Sequence, residues 1–220
     1  MNHDLLSKII GLMRHVNALN KLSGELRADI YHLEKEVKEM LENRWSYIML
    51  HHSLTKDGAT VSWQAMRHYH RSYRIDGVIV GEEEYNSRLL EESSLRQIKK
   101  GRVFEPPWKD IAYHYGIELI NDQYEILVGR PLDQEGAHCY QQEMNRKAIG
   151  ICFVGNFDES PVPMEQWNKG IIFVASLVKL LDIPYNFIVG HRDYAPKSCP
   201  GKLFEVDQFR KAVSASFKRR

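Results

Sequence analysis

No stretch of this chain approaches the roughly 20 consecutive apolar residues that a membrane-spanning helix needs. Its start, Met1-Asn2-His3-Asp4, lacks the basic opening and apolar core of a secretory signal. These absences predict cytoplasmic synthesis and no membrane insertion, so that any action outside the cytoplasm requires another agent for release. Cysteine is scarce: three residues, an odd number, exclude a disulfide framework. Charge of one sign is lacking too. The formal net charge of +1 leaves no global attraction for nucleic acid, and the locally basic end Phe217-Lys218-Arg219-Arg220 reads as a solvated terminus. Internal repeats and low-complexity tracts are absent, which excludes a solenoid or a disordered polymer. What remains is a 220-residue chain, long enough for one domain with a sizeable core and an additional segment.

The additional segment lies at the front. Leu5, Ile9, Leu12, Val16, Leu19, Leu26, Ile30, Leu33, Val37 and Met40 alternate spacings of four and three, with a polar residue in the slot at Ser23. This is a heptad seam, and Lys35, Glu36, Lys38 and Glu39 keep its outer face wet. Ser23-Gly24 interrupts it, and a mid-helix glycine costs about 1 kcal/mol relative to alanine. The seam over residues 5–40 therefore reads as one long helix forming a homo-oligomer, as a two-helix hairpin, or as an arm packed on its own domain. A helical coiled-coil arm is expected over 1–44 and the main domain over 45–220.

Within the main domain, strand and helix signals interleave. Trp45-Ser46-Tyr47-Ile48-Met49-Leu50 reads as a buried strand ending in His51-His52-Ser53. Ser62 caps a helix that carries Trp63, Met66, Tyr69 and His70 on one stripe. Residues 73–107 read as an inserted subdomain or lid, with a short strand at Val78-Ile79-Val80, a charged helix from Glu82 to Lys100 and a stop at Pro106-Pro107. Trp108 to Ile120 alternates into a strand, Asn121-Asp122-Gln123 turns it, and Tyr124 to Arg130 returns as a hairpin. Ala148 to Phe157 is a fully apolar strand and Tyr185 to Val189 a short one, while Met164 to Leu181 and Phe204 to Phe217 are amphipathic helices. The order predicts an α/β domain with a single mixed β-sheet flanked by helices.

Chemistry concentrates in Gly190-His191-Arg192-Asp193-Tyr194-Ala195-Pro196-Lys197-Ser198-Cys199-Pro200-Gly201. Pro196, Pro200 and Gly201 exclude a helix, so an imidazole, an ammonium and a thiol share one strand-end loop. Imidazole nitrogen and thiolate sulfur suit zinc in tetrahedral geometry. A third ligand from the His51-His52 strand end would leave one position for water, which is the catalytic arrangement. Cys139 and Cys152 read as ordinary positions. Among the ten histidines, His68, His70 and His138 read as easily as surface residues or substrate contacts as they do as ligands.

Five elements in order carry a resemblance: Leu50-His51-His52-Ser53; Asp110-Ile111-Ala112-Tyr113-His114-Tyr115; Gly129-Arg130-Pro131 with Gly136-Ala137-His138; Ile149-Gly150-Ile151 with Val154-Gly155-Asn156-Phe157; and the 190–201 loop. Over about residues 45–212 the chain resembles the zinc-dependent N-acetylmuramoyl-L-alanine amidases, the family of the phage amidase lysozymes and the peptidoglycan recognition proteins. The resemblance implies the peptidoglycan recognition protein-like amidase fold and one Zn2+ per chain held by His51, His191 and Cys199. His51 rather than His52 is the aligned ligand, a choice that depends on alignment within a doublet. Tyr113 and Lys197 match the family's active-site residues. The implied reaction is hydrolysis of the amide bond between N-acetylmuramic acid and L-alanine in peptidoglycan. In it, zinc would activate the attacking water and Lys197 would stabilise the oxyanion, while Tyr113 would either orient the water or relay a proton.

His114, His138 and Asn156 fall at family-like positions lining the groove, as contacts to glycan or stem peptide or as structural residues. With no signal peptide, a phage or prophage lytic enzyme that a holin releases onto the cell wall is expected. A cytoplasmic wall-recycling amidase and a non-catalytic recognition module are the alternatives. The insertion at 73–107 and the arm at 1–44 depart from the family, which assigns them no role.

Overall fold

The computed structural model describes residues 30–36, 39, 41, 44–54, 62–94 and 103–216. From Tyr47 onward the elements run β1 (Tyr47–His52), α1 (Trp63–His70), β2 (Tyr73–Ile75), β3 (Val78–Val80), α2 (Glu82–Ser94), β4 (Phe104–Glu105), β5 (Tyr115–Ile120), β6 (Gln123–Val128), α3 (Gln142–Lys147), β7 (Ala148–Phe153), α4 (Met164–Leu180), β8 (Ile188–Gly190) and α5 (Val206–Ser216).

A five-stranded mixed sheet in the order β6-β5-β7-β1-β8 organises the rest. β1 is parallel to β7 and β8, β7 is parallel to β5, and β5-β6 is the antiparallel hairpin. Burial on both faces explains why β1 and β7 are apolar without alternation: Ile48 to His52 and Ala148 to Phe153 are buried throughout. The main core joins Ile48, Leu50, Ile151 and Phe153 of the sheet to Phe173, Val174 and Leu177 of α4 and Phe209 of α5. A smaller cluster of Trp63, Met66, Ile111 and Cys152 lies under α1. The start of α1 is fastened twice. Ser62 Oγ accepts from the Ala65 N–H at 3.2 Å, and the buried Glu118 carboxylate of β5 accepts from the Trp63 N–H at 3.0 Å, which meets the helix's free donors and its positive end.

Beside the expected mixed sheet the structure has a second one. Residues 73–105 contain a three-stranded antiparallel sheet, β3-β2-β4, packed against α2. Its hairpin turns on Asp76 and Gly77, both at positive φ (53° and 79°), a two-residue loop that matches the twist of the flanking strands. Apolar burial there is slight, and Ile75 and Tyr85 carry it. The Arg74 side chain, 1 % exposed, ties the unit down. Its guanidinium lies over the rings of Tyr69 and Trp108 at 4.7 and 5.0 Å, donates to the Tyr69 carbonyl and reaches Glu105 Oε2 at 3.4 Å.

Several element bounds differ from expectation, for local reasons. The segment from Trp108 to His114 is irregular, because Arg67 pairs with Asp110 at 2.7 Å while Arg130 donates to the carbonyls of Ile111 and Asp110 at 2.7 and 3.3 Å. The expected strand over 185–189 divides into a 3-10 turn, Tyr185–Phe187, and β8. Helix α3 was not expected. Ahead of β1, residues 30–36 are helical, and Leu41 and Trp45 are buried in the main core, so the packed unit reaches back past residue 44. The seam positions Leu5 to Leu26, Val37 and Met40, and the expected helix ends at 95–100 and 217, lie outside the described residues. Among the described residues no helix is long and apolar enough to cross a membrane.

Candidate metal centre and its groove

Strand alternation separates the paired histidines. His51 turns towards the 191–199 loop: its Nδ1 is 3.5 Å from Cys199 Sγ and its ring centroid 4.7 Å from that of His191. His52 turns the other way, where its Nδ1 accepts from the Phe157 N–H at 3.2 Å. Donor atoms of His51, His191 and Cys199 all lie within 4.8 Å of one another, and all three residues are buried. His191 Nε2 is buried without a hydrogen-bond partner.

The loop that presents His191 and Cys199 is held by its own charged residues. Asp193 accepts from the Gly190 N–H at 2.9 Å, and Arg192 donates to the carbonyls of Gly201 and Phe204 at 2.7 and 2.8 Å. Asp158 accepts from Ser198 Oγ at 2.6 Å and from the Lys202 N–H at 2.8 Å, and the Ser198 bond leads the causes holding its carboxyl below the usual range. Lys197 stands exposed at the rim.

Tyr113 arrives on the opposite side, its ring centroid 5.0 Å from that of His51. Its carbonyl accepts from the Arg130 N–H at 2.9 Å, and a Cβ at Gly129 would stand 2.2 Å from that carbonyl oxygen. Only glycine permits this approach. Tyr113, His191 and Lys197 open on a groove of about 1530 Å³, which Glu105, Pro107 and Trp108 also line. Trp108 is stacked on His70 at 4.8 Å and 14°.

Burial governs the electrostatics. It lowers His51 well below the usual imidazole range and His191 to about 4, and it pushes the Tyr113 phenol well up. The Cys199 thiol is pushed up to about 11 by burial; a hydrogen bond from the His52 backbone and the charge of Lys197 offset this only in part. At neutral pH the centre thus holds neutral imidazoles and a protonated thiol.

Of the three residues expected along the groove or as structural groups, His138 lines it and His114 and Asn156 are not among its lining residues. His114 is fully buried and has no surface for a glycan: Nδ1 accepts from the Gly150 N–H at 3.0 Å and Nε2 lies 3.1 Å from the Gln134 carbonyl. Asn156 builds a turn, its Oδ1 accepting from the Asp158 N–H at 3.2 Å. His138, 5 % exposed, reaches only the groove floor and lies behind His51, with Nδ1 3.1 Å from His51 Nε2. Sequence reading passed over Arg130, Asp158 and Arg192 as loop-holding groups. The Gly129-Arg130-Pro131 and His191-Arg192-Asp193 motifs contained the signal, but the carbonyls they bind are visible only in three dimensions.

The sequence profile described as N-acetylmuramoyl-L-alanine amidase matches residues 41–202. The chain is 29% identical over 100 residues to the endolysin of Enterobacteria phage K11, covering 44% of this chain and 62% of that protein. It is 30% identical over 110 residues to peptidoglycan-recognition protein SC2 of Drosophila melanogaster, covering 50% of this chain and 57% of that one. The match therefore spans less than two thirds of either relative. Among solved structures, the endolysin N-acetylmuramoyl-L-alanine amidase LysCS of Clostridium intestinale URNW shares the fold, with a TM-score of 0.52 at 21% identity over 78% of this chain and 84% of that one. The profile covers most of the sequence and takes in β1, the Tyr113 segment and the 191–199 loop, so the chain belongs to the N-acetylmuramoyl-L-alanine amidase family.

Proposed function

We propose that this protein is a zinc-dependent amidase that cleaves the bond between N-acetylmuramic acid and L-alanine in peptidoglycan. The reading is carried by one observation: His51, His191 and Cys199 converge beneath a groove that Tyr113 and Lys197 also line. Two imidazoles and a thiol are a zinc donor set, and the unpartnered His191 Nε2 is a buried polar atom whose cost a cation would remove. Bound there, zinc supplies a Lewis acid that brings a coordinated water's pKa down to about 7.

The chain's own groups do the rest. Lys197 places an ammonium where the amide oxygen becomes an oxyanion, and loss of such a donor typically slows reaction by about 10² to 10³. The Tyr113 hydroxyl, kept protonated by burial, orients the nucleophile or hands a proton to the leaving amine. Arg130 and Gly129 hold the Tyr113 backbone in reach. The insertion at 73–107 acts as a wall that limits the width of substrate entering beside Trp108. A phage or prophage lytic setting, with release by a holin and a homo-oligomer through the 5–40 seam, is carried by the sequence pattern alone.

Zinc-loaded protein is expected to release amine from purified peptidoglycan, and Cys199→Ala to lose both the metal and the activity. Zinc and peptidoglycan bound by the wild type without amine release would reject the amidase for a recognition module, the role named by the SC2 relative.

A further inference from the structure

We infer that His138 is a positioning residue that fixes the tautomer of His51, so that His51 offers its Nδ1 lone pair to the metal. The inference rests on the zinc reading above. It begins at a backbone carbonyl, which can only accept a hydrogen bond. The Ala148 oxygen lies 3.1 Å from His138 Nε2, so His138 carries its hydrogen on Nε2. A neutral imidazole with hydrogen on Nε2 has a bare lone pair on Nδ1. That Nδ1 faces His51 Nε2 at 3.1 Å, so the hydrogen between the rings belongs to His51. His51 Nδ1 is then left unprotonated, and this is the atom 3.5 Å from Cys199 Sγ. The opposite tautomer of His51 would set two lone pairs against each other in a buried site.

The surroundings aim the His138 ring at one partner. A Cβ at Gly136 or at Gly150 would stand 2.3 or 2.4 Å from His138 Cδ2, so the ring fits only between two glycines. Asn145 Oδ1 accepts from the backbone N–H of both His138 and Cys139 at 2.9 Å, which fixes the chain from which the ring projects. The His114 ring packs edge-on at 5.8 Å and closes the far side. With 5 % of its surface exposed, His138 has little to offer a substrate and two ring nitrogens committed inward. Outer partners of this kind orient metal-binding histidines, and their loss typically weakens metal affinity about 10- to 100-fold.

The test compares full-length wild type, His138→Gln and His138→Phe. Glutamine supplies a donor for the Ala148 carbonyl and an acceptor for His51 Nε2–H; phenylalanine keeps the ring volume and supplies neither. Three quantities are read: the His51 ring 15N shifts in metal-free protein, the Zn2+ dissociation constant by chelator competition, and the melting temperature. The expected result is an Nε2–H His51 in wild type and His138→Gln with similar zinc affinity. His138→Phe is expected to lose that single tautomer and to bind zinc about 10- to 100-fold more weakly. An Nδ1–H His51 in the wild type overturns the inference outright, whether or not the phenylalanine variant folds. So does a wild-type tautomer and affinity in His138→Phe, or an equal loss in both variants that tracks their melting, since His138 would then be packing alone. If the wild type binds no zinc, the metal reading fails and the 15N shifts by themselves decide the tautomer role.

Discussion

Two walls of the same groove are built differently. On one side, His51 and the 191–199 loop stand at the ends of parallel strands buried on both faces, backed by the His51–His138 contact, the His138 contact with the Ala148 carbonyl and the Asp193 bond to the Gly190 N–H. On the other side, the small β3-β2-β4 sheet and α2 bury Ile75 and Tyr85 and are tied by the Arg74 guanidinium, laid over Tyr69 and Trp108. The first wall is specified by apolar packing, which tolerates few alternatives at native density. The second depends on a buried charge whose stacking and carboxylate partner must compensate its desolvation. Distances at the metal centre are therefore expected to be robust, and those to the Trp108 wall tunable.

Deleting the rim ammonium should give the largest effect. Lys197→Ala is expected to lower amide hydrolysis by about 10² to 10³ with melting temperature and zinc content unchanged. A loss of zinc instead would place Lys197 in holding the loop.

Arg74→Met is expected to cost about 1–3 kcal/mol, because it removes the ring stacking and the buried hydrogen bond to the Tyr69 carbonyl while leaving the part-exposed Glu105 to water. Amide exchange should then accelerate over 73–94 and 103–107 while β1 and β7 stay protected and zinc affinity holds. Equal acceleration in the central sheet would show that the two walls are one cooperative unit and erase the contrast.

Acid should act on both walls. Burial lowers His114 to about 3 and His70 to about 4, against about 6.5 in the unfolded chain, so the unfolded state binds more protons in between. Stability of the metal-free protein is therefore full above about pH 6.5 and falls as pH drops towards the folded values. Urea midpoints across that window measure it, and a flat profile would refute the buried neutral state. The smallest effect belongs to an exposed pair: Lys147→Ala removes the contact with Glu143 and should leave the melting temperature almost unchanged, since solvent screens the pair.

Much of the fold was legible because its causes are local. The apolar runs of β1 and β7, the Ser62 cap and the helical stripe of α4 are patterns over a few residues. The Asp76-Gly77 hairpin was equally local and was passed over, although that dipeptide between apolar runs is a strong turn signal. The irregular path from Trp108 to His114 was not legible, since its alternation reads as a strand and is overridden by Arg67 and Arg130 reaching in from elsewhere.

The sequence by itself determined the chemistry available here: an imidazole, an ammonium and a thiol in one helix-forbidding loop, a histidine doublet at a strand end, and the family those motifs announce. Only the tertiary structure decided which histidine of the doublet faces the loop, that His114 and Asn156 turn away from the groove, and that His138 backs His51. The reason is separation along the chain. His51 meets Cys199 across 148 positions and His138 across 87, and no local pattern encodes which nitrogen of a ring ends up opposite a partner so remote.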